Sequence, residues 1–340
     1  MTTYIEIGSE FWDLKTKDLK YLLVGRTALD HIIKDIKATS KAKKAYLPTY
    51  CCHTMIQPFI DNNIDVLFYE VNIKNGAFNY DLDYNVNFDI VLIMQYFGIA
   101  NAQVDKIAKN LKDHNKIVIE DTSHSVFLDK PYTCYSDYTF TSFRKWTGLA
   151  CGAVACKNND AFAIEKPLKT NKQYIDLRTR AASLKKQYID SKAGKKDDFL
   201  NLFSEAENLI ETDYRDYSLP EYYINQINNL DTEYIKTKRR LNAKTLYNAL
   251  KDLLQIETLN FKDSDVPLFV PILVKDRLRD QLRAHLTKNN IYCPIHWPLS
   301  PLHKVTDTYI YDNILSLVCD QRYSPRDMIR IADVIKSFYK

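Results

Sequence analysis

Glycine is scarce in this chain, with 7 residues of 340, roughly 2% where ~7% is usual. Used so sparingly, it marks the turns that need it, and Gly25, Gly98, Gly148 and Gly152 all fall beside strand-like or helical runs. Long hydrophobic runs are also lacking. Nothing approaches the ~20 apolar residues that span a bilayer, and residues 1–7 have neither a basic start nor an apolar stretch, so a cytoplasmic protein without a membrane partner is expected. Charge of one sign is missing too. With 47 basic and 43 acidic residues the net charge is +4, which describes a mixed, solvated surface and argues against a nucleic-acid partner. Seven cysteines without repeated C-x-x-C spacing fit neither a disulfide framework nor a metal site. The adjacent Cys51 and Cys52 read as buried thiols or a strand-end feature.

What is present is a periodic alternation. At this length a large domain with a smaller one is the natural expectation, divided here as 1–235 and 236–340. Ala28, Leu29, Ile32, Ile33 and Ile36 recur at helical spacing after the Gly25 turn. Short runs rich in Val, Ile, Tyr and Phe at 45–47, 66–71, 90–97, 117–119, 138–143 and 153–156 read as buried strands of an α/β sheet. Residues 157–217 form a charged, largely helical insertion. A long helical pattern follows over 224–250. The last third reads as α+β, with strands at 268–274 and 314–319, a helix at 277–286, and a final helix opened by Ser324-Pro325-Arg326-Asp327.

Three of these features belong to one chemistry. The helix start at Gly25-Arg26-Thr27 offers backbone N–H groups and a dipole that favour phosphate. Asp121 ends the very apolar strand that begins at Ile117, where an unpaired acid costs several kcal/mol of desolvation. Lys145 follows the next strand, just after Thr141 and Ser142. A phosphate anchor, a buried acid and a lysine together are what a pyridoxal phosphate (PLP) site requires, since the cofactor needs an amine to hold it and a carboxylate to keep its ring nitrogen protonated. A G-x-G-x-x-G after the first strand, the mark of a dinucleotide site, is missing.

In order along the chain stand Gly25-Arg26-Thr27-Ala28-Leu29, Leu47-Pro48-Thr49-Tyr50, Gln95-Tyr96-Phe97-Gly98, Ile119-Glu120-Asp121-Thr122-Ser123-His124 and Ser142-Phe143-Arg144-Lys145-Trp146, then residues 290–298 and 314–317. This series resembles the DegT/StrS family of PLP-dependent sugar aminotransferases. The resemblance implies a fold type I α/β architecture, with a large, mostly parallel sheet domain flanked by helices and a smaller α+β C-terminal domain. It implies a homodimer, and glutamate as donor to a carbonyl acceptor, a keto-sugar that is nucleotide-linked and serves surface glycan biosynthesis. Lys145 matches the lysine that holds the cofactor and Asp121 the partner of the ring nitrogen. Thr27 and Ala28 match the phosphate-binding pair, and Ser142, or else Thr141, the phosphate serine. His124 stands where the family commonly has a glutamine at the cofactor's phenolic oxygen. Related dehydratases carry histidine where Lys145 stands.

The chain departs from the family at three places. Cys52 replaces the aromatic residue that commonly covers the cofactor ring, leaving Tyr50, Cys52 or His53 for that place. The loop after the lysine reads Leu149-Ala150-Cys151-Gly152-Ala153, and no asparagine near Tyr214-Arg215 matches the one lent across the interface. Arg26 is either a salt-bridged surface group or an anion-facing residue of the active site, and His296 either a packed loop histidine or a substrate contact. A small phosphorylated ketone or aldehyde as acceptor, and a PLP-binding scaffold without transamination, are the other readings.

Overall fold

The computed structural model describes residues 17–191, 193–302 and 305–340. The N-terminal stretch 1–16 lies outside the described residues. The chain runs β1 (Asp18–Leu22), α1 (Gly25–Thr39), β2 (Lys44–Pro48), α2 (His53–Asp61), β3 (Asp65–Lys74), β4 (Ala77–Asp81), β5 (Ile90–Met94), α3 (Ala102–Asp113), β6 (Ile117–Asp121), β7 (Tyr138–Ser142) and β8 (Ala153–Lys157). Four helices follow, α4 (Lys172–Ser191), α5 (Lys196–Thr212), α6 (Glu221–Asn228) and α7 (Thr232–Leu250). The rest comprises β9 (Ile256–Thr258), β10 (Val270–Val274), α8 (Arg279–Lys288), α9 (Tyr309–Asn313), β11 (Ile314–Leu317) and α10 (Pro325–Phe338).

Eight strands form one sheet in the order β1-β8-β7-β6-β5-β2-β3-β4. The inner five, β7-β6-β5-β2-β3, are parallel, while β8, β1 and β4 add antiparallel edges. The inner strands carry apolar runs because both faces are covered; all five residues of β5 are buried. The winding direction reverses between β2 and β5, so the loops at their carboxyl ends diverge and leave a crevice where open α/β sheets bind ligands. A three-stranded antiparallel sheet, β11-β10-β9, forms a second layer with α7, α8 and α10. Its core gathers Leu246, Leu250, Ile272, Leu282, Leu315 and Ile335, all fully buried.

The expected strands and the first helix are present, with edges moved by local chemistry. The run expected as strand to residue 97 stops at Met94. Phe97 and Gly98 then take positive φ values of 57° and 74°. This turn lets Gly98 O accept from Val266 N at 3.0 Å and Phe97 O from Leu268 N at 2.8 Å, which ties the end of β5 to the segment leading into β10. The single helical pattern over 224–250 breaks between α6 and α7, because the Asp231 side chain accepts from Tyr234 N at 2.9 Å and starts a new helix. The final helix opens as its sequence predicts. Ser324 N donates to the Asp327 carboxylate at 2.8 Å, with Pro325 as the first helical residue.

One buried ion pair fixes α1 to the sheet. Asp35, fully buried, accepts from the Tyr138 hydroxyl of β7 at 2.7 Å, from Lys157 Nζ of β8 at 3.0 Å and from Ala163 N at 2.6 Å. Three donors around one carboxylate offset much of its desolvation, and they set where the start of α1 lies over β7.

Among the described residues, Gly98 is the glycine that a side chain would replace at greatest cost. A Cβ there would stand 1.9 Å from Val266 O, at a φ that L-residues rarely adopt. Gly98→Ala is expected to destabilise the protein by about 3 kcal/mol or more through strain and displacement of the 266 segment. Chemical denaturation of the purified variant checks this; a loss below ~1 kcal/mol would show that the turn relaxes freely.

Candidate active site

The site is built at the carboxyl ends of β6 and β7. Side chains alternate across a strand, so Glu120 and Asp121 face opposite sides. Glu120 is taken up structurally by Thr133 N at 2.9 Å and by the Ser136 hydroxyl. Asp121, 2% exposed, faces the crevice and accepts from Ser123 N at 2.7 Å. Burial pushes its carboxyl above the usual range, and Lys145 together with the Ser123 hydrogen bonds pulls it back. An acid held this way calls for a cationic partner beyond Lys145.

Ser123 is the connector that residue-by-residue reading missed. Besides its bond to Asp121, its hydroxyl accepts from Ser142 N at 3.1 Å, and its carbonyl accepts from Trp146 Nε1 at 2.8 Å. The acid, the end of β7 and the residue after Lys145 are thereby held in one register. The only hint in the sequence was its place between Asp121 and His124.

Lys145 lies in a 3-10 turn just past β7. Its side chain is exposed, and among the described residues it has no hydrogen-bond or ion-pair partner. It stands within electrostatic reach of Asp121, His124 and His296. The start of α1 comes up beside it. A Cβ on Gly25 would be 3.4 Å from Ser142 Cβ, so the first N–H groups of α1 and the Ser142 side chain share one corner, where the helix dipole favours an anion. Thr141 points to the other face of the sheet. Its hydroxyl is buried without a partner and borders a cavity of about 470 Å³ lined with Leu19, Tyr21, Thr139, Val154 and Cys156. That cavity contains neither Asp121 nor Lys145, so of the two hydroxyl residues only Ser142 shares the corner with α1.

Thr27 sits in this corner, but its hydroxyl donates to Tyr214 O at 2.6 Å, which leaves its backbone N–H for a ligand. Ala28 is fully buried under it, its own N–H already bonded to Val24 O at 3.1 Å. Arg26 turns away. Its guanidinium donates to Ile210 O, Glu211 O and the Glu211 carboxylate at 3.0–3.2 Å and stacks over Tyr214. Arg26 is ion-paired as in the first of its two readings, but buried instead of on the surface.

His124 is fully buried; its Nδ1 accepts from Phe97 N at 3.3 Å, while Nε2 has no partner. Burial first, then Lys145 and His296, hold it neutral, well below the usual histidine range. Its ring stacks on Trp297 with centroids 5.4 Å apart, a contact sequence reading did not anticipate. His296 bonds Ser316 Oγ through Nδ1 at 2.8 Å and packs against Phe97 and Phe269. Tyr50 is fully buried among Tyr96, Phe78, Trp297 and Tyr311, with its hydroxyl donated to His296 O. Cys52 caps the start of α2 half-buried, its sulfur accepting from Thr54 Oγ1 at 3.2 Å, and His53 beside it is exposed. Cys51 is buried within electrostatic reach of Asp121. All seven cysteines are free, and no metal-ligating cluster occurs among the described residues.

The donor set fits PLP. A buried acid for the ring nitrogen, an unpartnered buried imidazole nitrogen on His124, a phosphate corner at Gly25 and Ser142, and a lysine free of partners are brought to one crevice.

No family model matches the chain, and no curated protein matches it. Solved structures do. Helicobacter pylori PseC, an aminotransferase involved in the biosynthesis of pseudoaminic acid, superposes with a TM-score of 0.68 at 15% identity over 94% of this chain and 86% of its own. A DegT DnrJ EryC1 StrS aminotransferase from Brucella abortus gives 0.62 at 16% over 94% and 85%. The E. coli GDP-4-keto-6-deoxy-D-mannose-3-dehydratase, solved with bound hydrated PLP, gives 0.64 at 16% over 93% and 87%. The chain has the fold of these enzymes, the fold type I α/β architecture. No helix among the described residues is long and apolar enough to cross a membrane.

The buried histidines make stability pH-dependent. Burial and Lys145 lower His296 to about 4, below the unfolded value near 6.5. Such a group contributes stability that is full above pH ~6.5 and is lost as pH falls toward 4. For the cofactor-free protein, His296→Asn is expected to remove about 2 kcal/mol of this acid-side loss. Melting curves of both proteins between pH 7 and 4 test it; parallel losses would mean that His296 titrates normally.

Proposed function

We propose that this protein is a PLP-dependent aminotransferase that takes the amino group of glutamate and delivers it to a keto-sugar, nucleotide-linked, for a surface glycan. The observation that carries the reading is Asp121, buried at the end of β6 and facing the unpartnered Lys145 beside the Gly25–Ser142 corner. The structural neighbours, among them an aminotransferase of pseudoaminic acid biosynthesis and a sugar dehydratase solved with PLP, support the class. When bound, PLP supplies a carbonyl that exchanges with amines and a ring that accepts electrons.

Each residue then has one task. Asp121 would keep the proton on the ring nitrogen, and His124 Nε2 would donate to the phenolic oxygen, the tautomer being set by Phe97 N–H on Nδ1. The Ser142 hydroxyl and the N–H groups of Gly25, Arg26 and Thr27 hold the phosphate. Lys145 Nζ would hold the cofactor, and as a free amine it would be the base for the proton on the donor α-carbon. Lysine at this place, where related dehydratases carry histidine, supports transamination over dehydration. We further propose that the chain works as a homodimer and that its large and small domains divide within α7.

The test is visible absorption of the PLP-loaded protein. Wild type is expected to show the band of lysine-bound cofactor and to lose it when glutamate is added. Lys145→Ala is expected to show no such band and no turnover while remaining folded, because Lys145 is exposed and makes no hydrogen bond or ion pair among the described residues. A wild-type band that glutamate never changes would overturn the donor. No band at all would overturn the role of Lys145.

A further inference from the structure

The large sheet has a second cavity-bearing face, turned away from the Lys145 crevice. On β7, Tyr138 and Ser142 face α1, through the Asp35 bond and the Gly25 corner, so alternation sends Thr139 and Thr141 to the opposite side. Register places Val154 and Cys156 of β8 beside them, and Tyr21 and Leu19 of β1 beside those. Above this floor Phe127, from the loop after β6, and Ile227 and Leu230, where α6 passes into α7, border a cavity of about 470 Å³. Small-molecule sites commonly have such a size, ~300–1,000 Å³.

Three buried threonines border the cavity, and two of them are satisfied. The Thr122 hydroxyl donates to Phe140 O at 2.9 Å, and that of Thr139 is hydrogen-bonded to Cys156. Thr141, only 6% exposed, has no partner for its hydroxyl. A buried hydroxyl left unpaired is costly and calls for an occupant that can bond it. The charges at the cavity are already engaged. Lys236 pairs with Glu233 at 3.1 Å, Lys17 lies 4.5 Å over the Tyr132 ring, and no carboxylate lines the cavity among the described residues.

We infer that this cavity binds a neutral aromatic compound of one or two rings whose single hydrogen-bonding group meets Thr141. Tyr21, Phe127, Tyr132 and Phe143 offer the ring aromatic faces and edges. Neutrality follows from the engaged lysines, because a charged group on the ligand would be desolvated without a partner. The site goes beyond the amino-transfer reading and does not depend on it. It contains neither Asp121 nor Lys145, yet its wall includes Thr122, next to Asp121, and Phe143, which opens the turn that carries Lys145. An occupant therefore rests against the back of both elements.

The experiment is calorimetric titration of the full-length, PLP-loaded protein with indole and with indene, which has the same shape but no N–H. Wild type is expected to bind indole and to prefer it over indene. Thr141→Val, which keeps the side-chain shape and removes the hydroxyl, is expected to cut that preference about fivefold or more, and Thr141→Ser to retain it. Leu19→Trp, a change at an exposed position that the fold tolerates, is expected to fill the cavity and weaken both ligands about tenfold or more. Thr141→Val is also expected to melt at or above the wild-type temperature, since it removes an unpaired buried group, and to keep the absorption band of lysine-bound cofactor. Wild type that binds neither ligand, an undiminished preference in Thr141→Val, or unchanged binding in Leu19→Trp overturns the inference. So does a clear drop in the melting temperature of Thr141→Val, which would show the hydroxyl already partnered, or loss of its cofactor band, which would put that hydroxyl in the crevice. Wild type that prefers indole but shows no cofactor band removes only the amino-transfer reading.

Discussion

A carboxyl group sealed at the end of a central parallel strand is the constraint on which the rest of this site depends. Asp121 cannot shed its desolvation cost into solvent, and hydrogen bonding from Ser123 satisfies only part of it. What remains is a demand for a cation or a proton donor in the crevice. Lys145 meets it across space, and the protonated ring nitrogen of a pyridine cofactor would meet it by contact. The same burial that makes the acid expensive makes it effective, because its interaction with a positive group is not diluted by water.

Placement of the other elements follows from that demand. Ser123 binds Asp121, Ser142 and Trp146 at once, so a shift in the loop after β6 moves the acid, the Gly25–Ser142 corner and the lysine turn together. On the far side, Asp35 clamps α1 to β7 and β8, and the opposite end of that helix therefore arrives at Ser142. Arg26 and Thr27 complete the arrangement by directing their side chains to the last turn of α5 and to Tyr214 just after it, which makes the insertion part of the frame of the site and not an appendage.

Much of this was legible beforehand, and for identifiable reasons. Strands such as β5 and β6 announce themselves through unbroken apolar runs because both faces are buried, and the cap of α10 is written in Ser324-Pro325-Arg326-Asp327. The acid, the lysine and the helix start were recognisable because each must lie at the end of an element, and element ends are marked by pattern changes. What the pattern did not disclose was direction. Arg26 looked equally suited to an anion, and Tyr50 to the cofactor ring, yet one is drawn into Glu211 and the other into an aromatic cluster whose members come from four separate segments. The stacking of Trp297 on His124 joins residues 173 positions apart and has no local signature.

By itself, the sequence determined the alternation of strands and helices, the burial of Asp121 and the position of Lys145 just past a strand, since these are consequences of periodicity and chain order within tens of residues. Only the tertiary structure decided that Ser142 and not Thr141 shares the corner with α1, that Ser123 couples the acid to the lysine turn, and that Arg144 ties the α4–α5 hairpin beside that turn. Hydrogen bonds and charge pairs between segments distant in sequence depend on how whole layers pack, and packing geometry is a property of the assembled core that no local run of residues specifies.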